Sequence, residues 1–159
     1  MTPVCRLASV EDAPAIQTML EEMAAEAGRA VIGTEAALRA HAFGPAPRFR
    51  VVLAEADAQA LGFVLAFPEY SSWRGQVGLF VQDLYVRPGA RGRGLARALL
   101  AAAMEAAADW APAYLTLMVD HRNASAQAWY ARQGFSLRER GDLLMLDGPG
   151  LARLTEGRK

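Results

Sequence analysis

Residues 81 to 109 constrain this chain more than any other stretch. An alternating apolar segment, Val81-Gln-Asp-Leu-Tyr-Val86, stops at Arg87-Pro88-Gly89, passes through Arg91-Gly-Arg-Gly94 and enters the Ala/Leu-rich run Arg97 to Asp109 with no spacer. A strand feeding a glycine-bearing loop straight into a helix builds an anion site. Gly92 and Gly94 let the backbone bend close to a ligand, and the unpaired N–H groups of residues 92 to 97 then point at it together. Aligned peptide dipoles add about half a positive charge at that helix end. Arg91, Arg93 and Arg97 bring formal charge and several donors each. The guest expected for Arg91, Gly92, Arg93, Gly94, Leu95, Ala96 and Arg97 is a pyrophosphate.

Around this segment the chain alternates strands and helices. Val4 to Ala8 reads as a strand, and Ser9-x-x-Asp12 offers an N-cap for an Ala/Met/Leu/Glu helix ending near Gly28. Thr34 starts a shorter helix that closes before Gly44-Pro45. Phe49 to Glu55, Leu61 to Pro68 and Val77 to Val86 follow as three strands, joined closely enough for an antiparallel meander. After the loop and helix at 88 to 109 come a strand at 114 to 119, a helix at 124 to 133 and a final strand pair at 135 to 140 and 143 to 147. The fold class expected is α/β, with a mixed, mainly antiparallel central sheet and helices on both faces. A length of 159 residues fits one domain spanning 1–159. The stretch 148–159, opened by Gly-Pro-Gly, reads as a surface tail.

Spacing separates the known phosphate loops. A Walker loop ends in Gly-Lys-Ser/Thr, where this chain has Gly94-Leu95-Ala96. A dinucleotide fingerprint needs a small third residue for helix packing, and Arg97 stands there. What remains, Arg91-x-x-Gly94-x-Ala96, resembles the Arg/Gln-x-x-Gly-x-Gly/Ala signature of the GCN5-related N-acetyltransferases, the GNAT superfamily. A second cluster, Asn123-Ala-Ser-Ala-Gln-Ala-Trp129-Tyr130-Ala-Arg-Gln-Gly134-Phe135, is similar in order and spacing to that family's Asn-x-x-Ala…Tyr…Gly-Phe segment. The resemblance covers roughly residues 50 to 147 and implies a GNAT-like acyl-CoA N-acyltransferase fold with acetyl-CoA as cosubstrate. It further implies that the strands at 81 to 86 and 114 to 119 splay apart, so that backbone groups of Leu84, Tyr85 and Val86 meet the pantetheine arm.

Acyl transfer from a thioester to an amine needs a base for the amine, a donor for the oxyanion and an acid for the departing thiolate; no step needs a metal. Tyr130 is the expected acid. It lies two helical turns after Asn123, and the family's equivalent tyrosine reaches the coenzyme sulfur; the alternative is that Trp129-Tyr130 anchors the helix. Asn123 either caps that helix or bonds the pantetheine. Relatives of the spermidine/spermine (diamine) acetyltransferase branch resemble Tyr70-Ser-Ser-Trp73…Gly78 to Val86 but carry Glu-Asp where this chain has Gln82-Asp83. Glutamine holds a water but accepts no amine proton, so Asp83, Glu69 or bulk water must serve as base. Glu69, Tyr70 and Trp73 are the expected substrate contacts, with Glu21, Glu22 and Glu26 of the first helix nearby in the family layout, a set suited to a cationic amine.

Composition sets the exclusions. Lys plus Arg and Asp plus Glu both total 17, which leaves no global field for nucleic acid or an anionic membrane. The single cysteine, Cys5, permits no internal disulfide, and His41 and His121 lack the clustering of a zinc site. The Ala-rich run from Ala98 is interrupted by Glu105 and Asp109 before it could span a bilayer, and no signal segment opens the chain. The expectation is therefore a cytoplasmic enzyme without metal, nucleic-acid or membrane partner. The resemblance adds a homodimer and a small amine substrate (polyamine, diamine or amino acid). Acetylation of a protein N-terminus or lysine, and an inactive acyl-CoA-binding sensor, are the alternatives.

Overall fold

The computed structural model describes residues 3–138. They fall into two compact units, one reaching Met118 and one starting at Val119. The first unit runs β1 (Val4–Leu7), α1 (Ala13–Glu26), α2 (Glu35–Phe43), β2 (Arg50–Ala56), β3 (Gln59–Ser71), β4 (Gln76–Val86), α3 (Leu95–Ala106) and β5 (Leu115–Leu117). Among the described residues the strands form one sheet in the order β1-β2-β3-β4-β5. The first four are antiparallel neighbours, and β5 joins β4 in parallel, so the sheet is mixed as expected.

Local chemistry sets the helix ends. Ser9 donates its backbone N–H and its hydroxyl to Asp12 Oδ2 (2.7 and 3.1 Å), although a 3-10 turn at Val10–Asp12 precedes α1. Thr34 Oγ1 accepts from the Ala37 N–H at 3.2 Å, and Gly28 closes α1 with φ +65°. Asp12 also takes a two-point ion pair from Arg6 of β1 (2.7 and 2.8 Å), and Arg6 reaches Glu55 of β2 (2.8 Å). The Arg6 hydrogen bonds hold the Asp12 carboxyl down at about 2. A carboxyl with a depressed folded pKa stabilises above its unfolded value of about 4 and loses that contribution as pH falls through the folded one. Asp12→Asn is thus expected to cost about 1–2 kcal/mol at pH 7 in urea titrations, with the gap to wild type closing near pH 2.

Alternation along β2 and β3 divides the core. Val51, Leu53, Phe63, Leu65 and Tyr85 meet Ile16 and Met19 of α1 and Leu38 of α2 in one buried cluster. Val52, Val64, Ala66 and Leu79 line the opposite face with Ala103 of α3. The C-terminal end of α3 is anchored by Arg50, which pairs with Asp109 and lies 4.0 Å from the Trp110 ring centroid.

Two irregularities break the expected ladder. Asp83 pairs with Leu65 and Val81 with Ala66, so Gln82 faces no partner and forms a β-bulge. The β4–β5 pairing runs only from Leu79↔Leu115 to Val81↔Leu117. The strand expected over 114 to 119 is accordingly shortened to Leu115–Leu117, and Gln82 to Val86 have no neighbour on that side among the described strands. The second unit contains α4 (Ala124–Arg132). Of the final strand pair, residues 135 to 138 carry no regular secondary structure; the rest of that pair and the tail lie outside the described residues.

Candidate functional site

A 3-10 turn at Pro88–Ala90 turns the chain out of β4. Gly92 and Gly94 then adopt φ +76° and +77°, the left-handed region that favours glycine, and no atom lies within 4 Å of where either Cβ would stand. Gly94 is the N-cap of α3, and the first helical bond runs from the Ala98 N–H to the Gly94 carbonyl (3.1 Å). The N–H groups of residues 94 to 97 have no acceptor among the described residues. Arg93 and Arg97 are exposed and make no bond to a described residue. Four convergent donors, two free guanidinium groups and open space above two glycines fit a diphosphate, which is an acceptor on every face.

The edge of β4 continues this surface. The Arg87 N–H donates to the Leu61 carbonyl at 2.9 Å. Antiparallel alternation then directs the main-chain groups of Asp83 and Tyr85 to β3 and those of Leu84 and Val86 to the side that β5 has left. Arg91 Nε already occupies the Val86 carbonyl at 2.7 Å. The N–H and C=O of Leu84 and the N–H of Val86 remain for an amide-bearing chain. Tyr85, also expected beside the coenzyme, turns its ring into the core at 4% exposure. Its hydroxyl donates to Glu26 Oε1 (3.0 Å), and burial, with that bond, pushes its pKa up to about 12.

Arg91, which opens the loop, is engaged within the protein. Its guanidinium is committed to both oxygens of Glu26 (2.8 and 2.7 Å) as well as to Val86. Arg87 makes a two-point fork with Glu22 (2.9 and 2.8 Å) and donates to the Ala60 carbonyl (2.7 Å). Glu22 and Glu26, expected among carboxylates for a cationic amine, are therefore already paired with arginines, and Glu21 accepts from Gln17. The forks are invisible to local sequence reading because their partners lie 65 positions apart.

Asp83 stands where β5 leaves β4, on the α1 face beside Leu65. Its carboxylate makes no hydrogen bond or ion pair with a described residue, and burial raises its pKa above the ordinary aspartate value. Gln82, on the bulge, is exposed. Glu69 accepts from the Thr116 hydroxyl at 2.7 Å and pairs in register with Gly78. Four residues separate its position from that of Leu65, about 13 Å along the strand. The stacked pair Phe67–Phe80 (5.1 Å between centroids) lies between. Tyr70 and Trp73, 68% and 87% exposed, sit farther out at the hairpin end. The structure thus gathers Gln82 to Arg97 and leaves Glu69, Tyr70 and Trp73 at increasing distance.

In the second unit Asn123 Oδ1 accepts from the Ala126 N–H at 3.0 Å, which realises the capping alternative. The Tyr130 ring meets Trp129 and Phe135 edge to face (5.1 and 5.3 Å). Its hydroxyl has no hydrogen-bond partner among the described residues, and burial raises its pKa.

Residues 16–135 match the model of the Acetyltransferase (GNAT) family. The chain is 31% identical over 109 residues to thialysine N-epsilon-acetyltransferase of Bos taurus, covering 64% of this chain and 64% of the relative. It is 28% identical over 100 residues to the L-ornithine N5-acetyltransferase NATA1 of Arabidopsis thaliana, covering 63% of this chain and 44% of the relative. Each match spans less than two thirds of the relative's own length. A solved aminoglycoside N-acetyltransferase in complex with CoA superposes with a TM-score of 0.74 at 19% identity, over 91% of this chain and 94% of that one, and so shares the fold.

Proposed function

The chain belongs to the acetyltransferase (GNAT) family, and from that membership we propose that it is an acetyl-CoA-dependent N-acetyltransferase for a small primary amine, acting by direct transfer. The observation that carries the reading is the set of four N–H groups at residues 94 to 97 without an acceptor among the described residues, together with the edge at Leu84 and Val86 that no described strand covers. Residues 92 to 97 hold the pyrophosphate, and the Leu84 and Val86 backbone orients the pantetheine. When bound, acetyl-CoA supplies a thioester carbonyl activated toward an amine.

The chain's own residues do the rest. Asp83 takes the proton from the attacking ammonium, and Gln82 holds the water through which it passes. Desolvation without a cationic partner moves the Asp83 pKa toward the working pH, which is what a general base requires. Tyr130 is the proposed acid for the departing thiolate; its raised pKa keeps the proton on the hydroxyl at neutral pH. Tyr130→Phe keeps the ring and removes only that proton. It is expected to lower kcat about a hundredfold, and unchanged turnover would assign Tyr130 to packing alone.

The names of the two relatives point to terminal amines of amino acids, thialysine and ornithine, which supports that substrate class here. The test is acetyl-CoA-dependent thiol release across free diamines, basic amino acids and peptides. Release with ornithine-like amines supports the reading. Release with peptides alone reassigns the acceptor, and no release with any amine removes the enzymatic reading.

A further inference from the structure

We propose that Glu22 and Glu26 of α1 are positioning residues for the coenzyme, acting through Arg87 and Arg91 to hold the loop's backbone donors in their binding arrangement. The inference rests on the coenzyme reading above. Glu22 and Glu26 lie one turn apart near the C-terminal end of α1. Arg87 and Arg91, with the same four-residue spacing, bracket the 3-10 turn at Pro88–Ala90. Each arginine bonds both oxygens of its glutamate, and each also takes a backbone carbonyl, Ala60 for Arg87 and Val86 for Arg91. Together they tie α1, the start of β3 and the end of β4 to the first residue of the loop.

Two further observations separate this from an ordinary surface pairing. Glu26 is the last residue of α1, where the helix dipole is negative and a carboxylate is disfavoured. A locally unfavourable choice held in place by three donated bonds, two from Arg91 and one from Tyr85, marks a residue retained for its partners. Between Arg91 and the buried Leu95 of α3, no side chain of the loop bonds a described residue. Gly92 and Gly94 have no side chains, and neither Arg93 nor the N–H groups of 94 to 97 bond a described residue. The ligand-ready shape is therefore held at its far end by α3, which buries Leu95, and at its start by the Arg91 strut and the turn that Arg87 fixes. Preorganised donors bind without first being ordered, and affinity is lost when the strut is cut although no ligand contact has gone.

The experiment is calorimetric titration of coenzyme A into wild type, Glu26→Gln, Arg91→Gln and the double variant, with KM for acetyl-CoA and kcat measured alongside. Glu26→Gln is expected to weaken coenzyme A binding about fivefold to tenfold, up to about 1.4 kcal/mol, and to raise KM for acetyl-CoA rather than lower kcat. The double variant is expected to be no weaker than Arg91→Gln, because both changes cut one strut. Binding by Glu26→Gln equal to or tighter than wild type overturns the proposal; a tighter complex would mean that Glu26 competes with the ligand for Arg91. A fall in melting temperature without a change in Kd overturns it equally, since that is what a merely structural pair would give. If wild type itself fails to bind coenzyme A, the coenzyme reading falls and takes this inference with it.

Discussion

Asp83→Asn is expected to make the protein more stable and nearly inactive. Burial raises the Asp83 pKa in the folded state, and no cation among the described residues compensates. An acid with a raised folded pKa favours folding below its unfolded pKa of about 4 and loses that contribution as pH rises through the folded value. At pH 7 the ionised carboxylate therefore destabilises, and asparagine removes a charge that folding must desolvate. The expected gain is about 1 kcal/mol at pH 7, vanishing near pH 3, in parallel denaturant titrations. The same change deletes the proposed base, so kcat/KM should fall about a hundredfold or more. The acidic limb of the wild-type pH profile should disappear with it. A variant less stable than wild type at pH 7 would contradict the desolvation account. One that is more stable but fully active would leave the burial intact and move the base elsewhere, with Glu69 the next carboxylate to test.

Gly94→Val should abolish coenzyme binding through the backbone alone. No atom stands near the missing Cβ, so sterics against neighbours cannot explain an effect there. What a β-branched residue cannot do cheaply is hold φ near +77°, a conformation that costs roughly 1–3 kcal/mol outside glycine. The residue relaxes out of that region, and the N–H groups of 94 to 97 no longer converge. Retention on coenzyme A resin should drop at least a hundredfold, with a melting temperature only a few degrees lower. Gly94→Ala, with one methyl and no branch, should fall between the two. If Gly94→Val folds and binds as wild type does, the donor cradle is not the coenzyme site.

The cradle was legible because its elements are local. Pro88, Gly92, Gly94 and the helix that follows are contiguous, and each glycine sits where the chain needs a left-handed turn. The meander was equally plain from short connections between alternating segments. Arg91 shows where such reading stops. Its type and spacing point to a phosphate ligand, while its partner, Glu26, comes from a helix 65 residues earlier. Only the folded sheet brings those two together. The bulge was illegible for a different reason: Val81 to Val86 alternates acceptably in either register, and the slip shows only when Leu65 and Ala66 are laid opposite Asp83 and Val81. Asn123 could cap or bind by its chemistry alone, and only the folded chain shows its Oδ1 taking the cap at the Ala126 N–H.

The unpaired position at Gln82 has a consequence for how this scaffold can vary. A residue in register on β4 must satisfy a cross-strand neighbour and one packed face, so changing it disturbs the core. Gln82 answers to neither: it is exposed and opposes no residue of β3. An exchange of amide for acid there, as in Gln82→Glu, leaves the hydrophobic layers untouched while placing a new titratable group next to Asp83. The bulge uncouples reactivity from folding at one site, so the pH response of such a protein can drift by single substitutions without any search for compensating changes in the core.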